Sequence, residues 1–270
     1  MKVAIQGIQG SYHHQVVSHL YGDVSLQECS SFDQLAMAVA NGDADKGVMA
    51  IGNSIAGSIL PNYSLIKEQK LTITGEFHLN IKHQLMALHG QKIKNIDEVQ
   101  SHPMALLQCK PFFRKHQHIK LVETDDTAAA AYRIANDKKR GVAAVASAQA
   151  AQLYGLKIIS KDIQQVKNNA TRFVVVEKTN RQIENANKAT INFTAGHQPG
   201  SLGKILTALG NLNINLSKIQ SVPVIEKPFL CSFVVDLEFQ DLAQFEAAQL
   251  EIGILVESLE ILGIYKSHKL

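Results

Sequence analysis

The sequence has no tryptophan, three cysteines and six prolines in 270 residues, and no hydrophobic run long enough to span a bilayer. Each shortage excludes something. Cys29, Cys109 and Cys231 are odd in number and far apart, which fits neither a disulfide framework nor a CxxC metal site, and they read as reduced packing thiols. The formal charge of +3 is dispersed without a basic block, so the footprint of a nucleic-acid binder is missing. The segment Met1–Gln6 turns polar after one short apolar run, too soon for a signal-peptide core. These features lead to the expectation of a cytoplasmic protein with a small-molecule partner and neither a membrane nor a nucleic-acid partner. GxSxG, a Gly-rich loop ending in Lys-Ser/Thr, and HExxH are also lacking, which disfavours serine-hydrolase, NTPase and zincin chemistry. Eleven histidines, among them His13, His14, His102, His116 and His118, show no metal-ligand spacing, so no metal is expected.

What the chain does have is a repeated β–α alternation. Lys2–Ile5 reads as a strand ending in Gly7-Ile8-Gln9-Gly10-Ser11-Tyr12, with a helix following through Val16, Val17 and Leu20. Such a turn lets backbone approach a ligand and offers free helix N–H groups to an anion, with Ser11 placed to cap the helix or touch the ligand. Ser31-Phe32-Asp33-Gln34 is a capping-box pattern. The buried strand Gly47–Ile51 ends in Gly52-Asn53-Ser54, and polar residues at the carboxyl end of a buried strand are where open α/β sheets place ligand groups. Asn53 and Ser54 are therefore candidates, with ordinary turn chemistry as the alternative.

Two apolar runs follow, Leu71–Phe77 and Leu79–Leu88, the second interrupted by Lys82 and His83 and suited to carrying the chain into another lobe. Ser101-His102-Pro103 precedes a short apolar segment, Met104–Leu107, read as a strand flanked by Ser101 and Gln108, with Pro111 starting the next helix. Thr124-Asp125-Asp126-Thr127 caps an alanine-rich helix, and Gly141–Ala146 is strand-like. The stretch Asn168-Asn169-Ala170-Thr171-Arg172-Phe173 leads into Val174-Val175-Val176, and a hydroxyl beside a forked cation at a strand mouth suits an anionic ligand.

The alternation predicts a two-lobed α/β domain over 1–178 with the ligand between the lobes. A polar linker is expected over 179–188. Residues 189–270 then follow a β-α-β-β-α-β order, the ferredoxin-like split βαβ unit, with Pro199-Gly200-Ser201 opening its first helix and strands at Ile214–Val222 and Phe229–Phe239.

Taken together these segments resemble prephenate dehydratase followed by its ACT regulatory domain, over nearly the whole chain. Asn168–Phe173 matches the family's N-N-x-T-R-F, and Gly7–Tyr12 its G-P-x-G-T-F. Ile51-Gly52-Asn53-Ser54 with Gly57-Ser58 resembles I-E-N-S-x-x-G-S, and Ala150–Leu156 resembles A-A-x-L-Y-G-L. Ser11-Tyr12 replaces Thr-Phe, Gly52 stands where the family has Glu, and Gln220-Ser221-Val222-Pro223 lacks the Arg of E-S-R-P.

The resemblance implies a periplasmic-binding-protein-like catalytic domain that converts prephenate to phenylpyruvate without a cofactor. It implies Thr171, Arg172, Asn53, Ser101 and Gln108 as catalytic residues and Ser11, Ser54 and Phe173 as substrate-binding ones. Arg172 is expected to hold a substrate carboxylate and Thr171 to hydrogen-bond the leaving hydroxyl. The resemblance also implies a phenylalanine effector site at Gly200, Ser201, Leu202, Gln220 and Ser221, and a homodimer or homotetramer. Arogenate dehydratase and a non-catalytic amino-acid-sensing protein remain the alternatives.

Overall fold

A computed structural model describes residues 1–179, 184–224 and 231–268. The first elements are β1 (Lys2–Gln6), α1 (Tyr12–Tyr21), β2 (Ser25–Cys29), α2 (Phe32–Asn41) and β3 (Lys46–Asn53). A two-residue β4 (Gly57–Ser58), α3 (Leu60–Glu68) and β5 (Thr72–Asn80) follow. The chain then enters a second lobe with β6 (Gln84–Ala87), β7 (Glu98–Ser101), α4 (Pro103–Phe113) and β8 (Lys120–Glu123). That lobe continues through α5 (Thr127–Asn136), β9 (Val142–Ala146), α6 (Ala148–Leu153) and β10 (Lys157–Ser160). β11 (Ala170–Glu177) brings the chain back to the first sheet.

The first sheet has the order β2-β1-β3-β11-β5, with β4 paired to β3. Its strands β1, β2 and β3 are parallel, while β11 runs antiparallel to both β3 and β5. The second sheet, β10-β6-β9-β7-β8, is also mixed. Strands β1, β3 and β9 read as near-continuous apolar runs because helices cover both of their faces.

The expected strand Met104–Leu107 is instead part of α4. Pro103 supplies the pre-set φ of a first helical residue, the His102 ring accepts from the Met104 N–H at 3.2 Å, and Pro111 lies inside the helix. Ala105, Leu106, Cys109 and Phe113 make its buried stripe, a helical spacing, and the strand of this region is β7, just upstream.

The remaining elements are β12 (Lys188–Ala195), α7 (Ser201–Asn211), β13 (Asn215–Pro223), β14 (Cys231–Glu238), α8 (Leu242–Gly253) and β15 (Val256–Tyr265). They form an antiparallel sheet, β13-β14-β12-β15, in the ferredoxin-like order. The whole is a two-lobed, periplasmic-binding-protein-like α/β arrangement followed by a βαββαβ unit. Of the expected linker, residues 180–183 lie outside the described residues, as do Phe229 and Leu230 of the expected fourth-element strand. Lys188, placed at the linker's end from sequence, is instead buried and opens β12.

The third sheet does not hang free. Val234, Leu262 and Tyr265 share one apolar core with Val174 and Val176 of β11 and with Leu35, Tyr63 and Ile73 of the first lobe. The approach is closest at Gly263, where a Cβ would stand 2.1 Å from the Ile73 carbonyl oxygen. Among the described residues no helix is long and apolar enough to cross a membrane.

Candidate active site

Between the two lobes lies a cavity of about 450 Å³. Four helices begin at its wall: Ser11, Ser31, His102 and Asp126 are the N-caps of α1, α2, α4 and α5, and all four line it. The cap oxygens of Ser11 and Ser31 accept the third N–H of their helices, at 3.2 Å each, and Asp126 does the same for Ala129 at 2.7 Å. Converging helix N-termini give the cavity a positive electrostatic character. Among the described residues that line it there is no Lys or Arg.

On the floor of the cavity is a connected set of amides. Asn53, at the end of β3, has its side-chain oxygen fixed by the Ile55 and Ala56 N–H groups at 2.9 and 3.0 Å. Its amide therefore donates outward, to Asn169 Oδ1 at 2.7 Å and Thr171 Oγ1 at 2.8 Å. Because Thr171 Oγ1 accepts there, its own proton is left to point elsewhere, and the side chain lines the cavity. Asn169 donates across the cleft to Gln108 Oε1 on α4 at 2.8 Å, and that oxygen lies 2.9 Å from His83 Nε2. Burial lowers the His83 pKa to about 4, against a rise from its Gln108 hydrogen bond, so at neutral pH the ring carries one proton. The network assigns that proton to Nε2, donating to Gln108, and leaves Nδ1 to accept from the Tyr12 hydroxyl at 2.8 Å. Burial lifts the Tyr12 phenol well above its ordinary pKa, which keeps it a neutral donor.

The apolar wall is built by Phe173, Phe32, Ile59 and Ile81. His13 belongs to it: the ring meets Phe173 edge-on at 5.0 Å and Phe32 at 5.5 Å, and burial drives its pKa to about 3.

Of the residues singled out from sequence, Asn53, Gln108, Thr171, Ser11 and Phe173 are brought together around this cavity. Three are not. Arg172 faces the opposite side of β11, where its guanidinium binds Glu76 Oε2 at 2.7 Å, Asp236 Oδ2 and the Tyr265 hydroxyl at 2.7 Å, so it has no free fork for a substrate carboxylate. The cause is the strand itself, which sends neighbouring side chains to opposite faces. Ser101 is fully buried and donates to the Val145 carbonyl at 2.5 Å, tying β7 to β9. Ser54 Oγ accepts from the Ala170 N–H at 3.0 Å and closes a turn outside the cavity.

Asn169, His83, Tyr12, His13 and Asp126 were not among the sequence-derived site residues. Asn169 lay inside the quoted motif, and His83 interrupted an apolar run, which was the available signal. The site at Gly52 has room: a Cβ there would meet nothing nearer than the Gly57 carbonyl oxygen at 3.6 Å.

In the third sheet, Gly200, Ser201 and Leu202 line an open groove of about 540 Å³ together with Cys231 and Phe233. Gln220 and Ser221 lie on the edge strand β13, Ser221 opposite Phe233 in register, and neither lines the groove. Val222 lines a different space of about 170 Å³, between α3 and the third sheet.

Two α/β lobes joined by crossing strands, with amides and helix N-termini around an open cleft and a βαββαβ unit behind, define a two-lobed protein with a cleft of small-molecule size between its lobes. Comparison with known proteins narrows this class. The chain belongs to the prephenate dehydratase family, whose model matches residues 3–181. It is 36% identical over 281 residues to the chloroplastic arogenate dehydratase/prephenate dehydratase 2 of Arabidopsis thaliana, spanning 98% of this chain and 72% of that protein. Two of the solved structures that superpose over nearly its whole length set the comparison. One, GqqA, described as a novel type of quorum quenching acylase, is 27% identical with a TM-score of 0.89, covering 99% of this chain and 98% of that one. The other, a prephenate dehydratase of Arthrobacter aurescens in complex with L-Phe, is 24% identical with a TM-score of 0.88, covering 98% and 90%. Members of the family are carbon–oxygen lyases acting in the synthesis of aromatic amino acids.

Proposed function

We propose that the cavity carries out the decarboxylating dehydration of prephenate to phenylpyruvate, with Thr171 at the leaving hydroxyl. The observation that carries this reading is the fixed Thr171 oxygen on the cavity wall, which accepts from Asn53 and keeps its own hydroxyl proton available to a ligand. Substrate carboxylates are held by helix N–H groups at α1, α2 and α5 and not by Arg172, with Ser11 at the α1 start; α4 opens with Pro103 and its Met104 N–H is used by the His102 ring. Gln108 and Asn169 span the two lobes and fix the cleft width around the ring. Phe173 and its neighbours face the ring and lower the solvation of the departing carboxylate, which favours its loss as neutral carbon dioxide. Residues 1–178 are the catalytic unit and 189–270 the regulatory one.

A phenylalanine effector is part of this reading, supported by the L-Phe complex of the Arthrobacter aurescens protein, and the groove lined by Gly200, Ser201 and Leu202 is the place assigned to it in this proposal. Gln220 and Ser221 join such a site only if a second copy supplies them, which accords with a homodimer or homotetramer. Leu250 and Ile254 at the end of α8, 77% and 85% exposed, are apolar surface available for that pairing. A cytoplasmic location accords with three free thiols.

Arogenate is the second substrate to test, because the Arabidopsis thaliana relative is named for both activities. Purified protein should form phenylpyruvate from prephenate at a higher kcat/KM than it forms phenylalanine from arogenate, with the rate changed by added phenylalanine. The reverse ratio would make it an arogenate dehydratase, and no turnover of either would leave a binding protein.

A further inference from the structure

The reaction has a proton requirement that the residues above do not meet. Breaking the ring carbon–oxygen bond sends the electron pair to oxygen, while the pair from the carbon–carboxylate bond moves into the ring as carbon dioxide departs. The departing oxygen must gain a proton to leave as water. A threonine hydroxyl is too weak an acid to supply it at neutral pH.

We propose that Asp126, across the cleft from the first lobe, is the proton donor to the departing hydroxyl, an inference that rests on the dehydratase reading. The geometry points there first. Asp126 Oδ1 is occupied by the Ala129 N–H, which leaves Oδ2 facing the Gly7 turn; a Cβ on Gly7 would stand 2.9 Å from it. Gly7, at φ +89°, has no side chain and so admits the carboxylate against its turn, and Asp126 lines the same cavity as Thr171. Elimination comes second. His13 and His83 are neutral at pH 7, their pKa values lowered to about 3 and about 4, and the Tyr12 phenol is pushed well above its ordinary value. The His102 ring uses a nitrogen as acceptor at the α4 cap. Asp125 is exposed.

The environment of Asp126 moves its carboxyl toward protonation relative to a free aspartate. Burial raises its pKa, against the lowering by the Ala129 and Ala128 N–H groups, by His102 on α4 and by Arg133 on α5. Tyr12 on α1 and Tyr154 at the end of α6 face it as neutral phenols. No Lys or Arg lines the cavity among the described residues, so a substrate carrying two carboxylates adds like charge beside Asp126 and drives its proton uptake further. After transfer the carboxylate is reprotonated from solvent, which balances the cycle.

The test is Asp126→Asn in the full chain, since Asn caps a helix about as well as Asp and keeps the fold, a point checked by the melting temperature. Prephenate turnover should lose about 10²-fold or more in kcat, with KM within about threefold. Wild-type kcat should fall as pH rises through the Asp126 pKa of the complex, and that limb should vanish in Asp126→Asn. Asp126→Glu should restore part of the rate and the limb. Wild-type turnover with an unimpaired Asp126→Asn, or with the limb retained, overturns the donor role while leaving the dehydratase reading intact. A loss confined to arogenate overturns it too, marking Asp126 as an ammonium anchor. Absence of wild-type turnover on either substrate overturns both.

Discussion

Thr171 and Arg172 are adjacent in sequence and serve different halves of the molecule, because successive side chains on β11 leave by opposite faces. Thr171 and Phe173 look into the cleft, and Arg172 looks toward the third sheet. His13 shows what a cleft lined by helices and aromatic rings does to a titrating group. Its folded pKa, about 3, lies below the ordinary imidazole value near 6.5, and that of His83 is about 4. The unfolded chain therefore binds these protons first as pH falls. Their contribution to stability is complete above about pH 6.5 and is lost as pH drops through the folded values. Thermal melts at falling pH should show a declining melting temperature below about pH 6.5, and His13→Phe, which keeps the aromatic contacts to Phe32 and Phe173, should flatten part of that decline. An unchanged slope would mean that the His13 proton is not displaced by folding. At this scale the sequence was legible where a residue type implies a local bond, as for Ser11, Ser31 and Asn53. It was misread at Arg172, although strand alternation already forbade both members of the Thr–Arg pair from facing one ligand.

At the scale of elements, the site exists because four helices start at one cleft, and the capping patterns at Ser31–Gln34 and Thr124–Thr127 marked two of those starts in the sequence, the second resolving to Asp126 as the cap. α4 was harder to read. Its first turn is a short apolar run that fits a strand as well as a helix, and Pro111 pulled the predicted start eight residues too late, whereas Pro103 is the true first residue. Packing between elements was not legible either, since it depends on which faces meet. Gly263 is the case in point: β15 crosses β5 so closely that no side chain fits over the Ile73 carbonyl. Gly263→Ala should lower the unfolding free energy by about 1–3 kcal/mol or more, the range for overpacking a tight contact. Urea denaturation reads this directly, and an unchanged midpoint would show that the strands can part without loss.

At the scale of the whole molecule, an ionic cluster joins the lobe that holds Thr171 to the third sheet. Arg172 and Lys188 share Glu76, Arg172 also holds Asp236, and Thr190 donates to Asp236 at 2.6 Å. The guanidinium, beside Asp236 and Glu76, holds both carboxyls below their usual range despite burial that pushes them up. Removing one partner strands the rest, so Arg172→Met should cost about 3–5 kcal/mol in urea denaturation, the range for breaking a buried pair. A stable variant with a raised KM would return Arg172 to substrate binding. The ferredoxin-like order of the third sheet and the two-lobed alternation were legible from pattern, because each element carries its own periodicity; the cluster was not, because its charges come from segments far apart in sequence. The most direct test of the account is phenylpyruvate formation from prephenate by wild type and Thr171→Ala under the same conditions. The account predicts wild-type turnover and a loss of about 10²-fold or more in kcat for the variant, the scale of one pre-organised transition-state hydrogen bond; turnover by Thr171→Ala equal to wild type would contradict it.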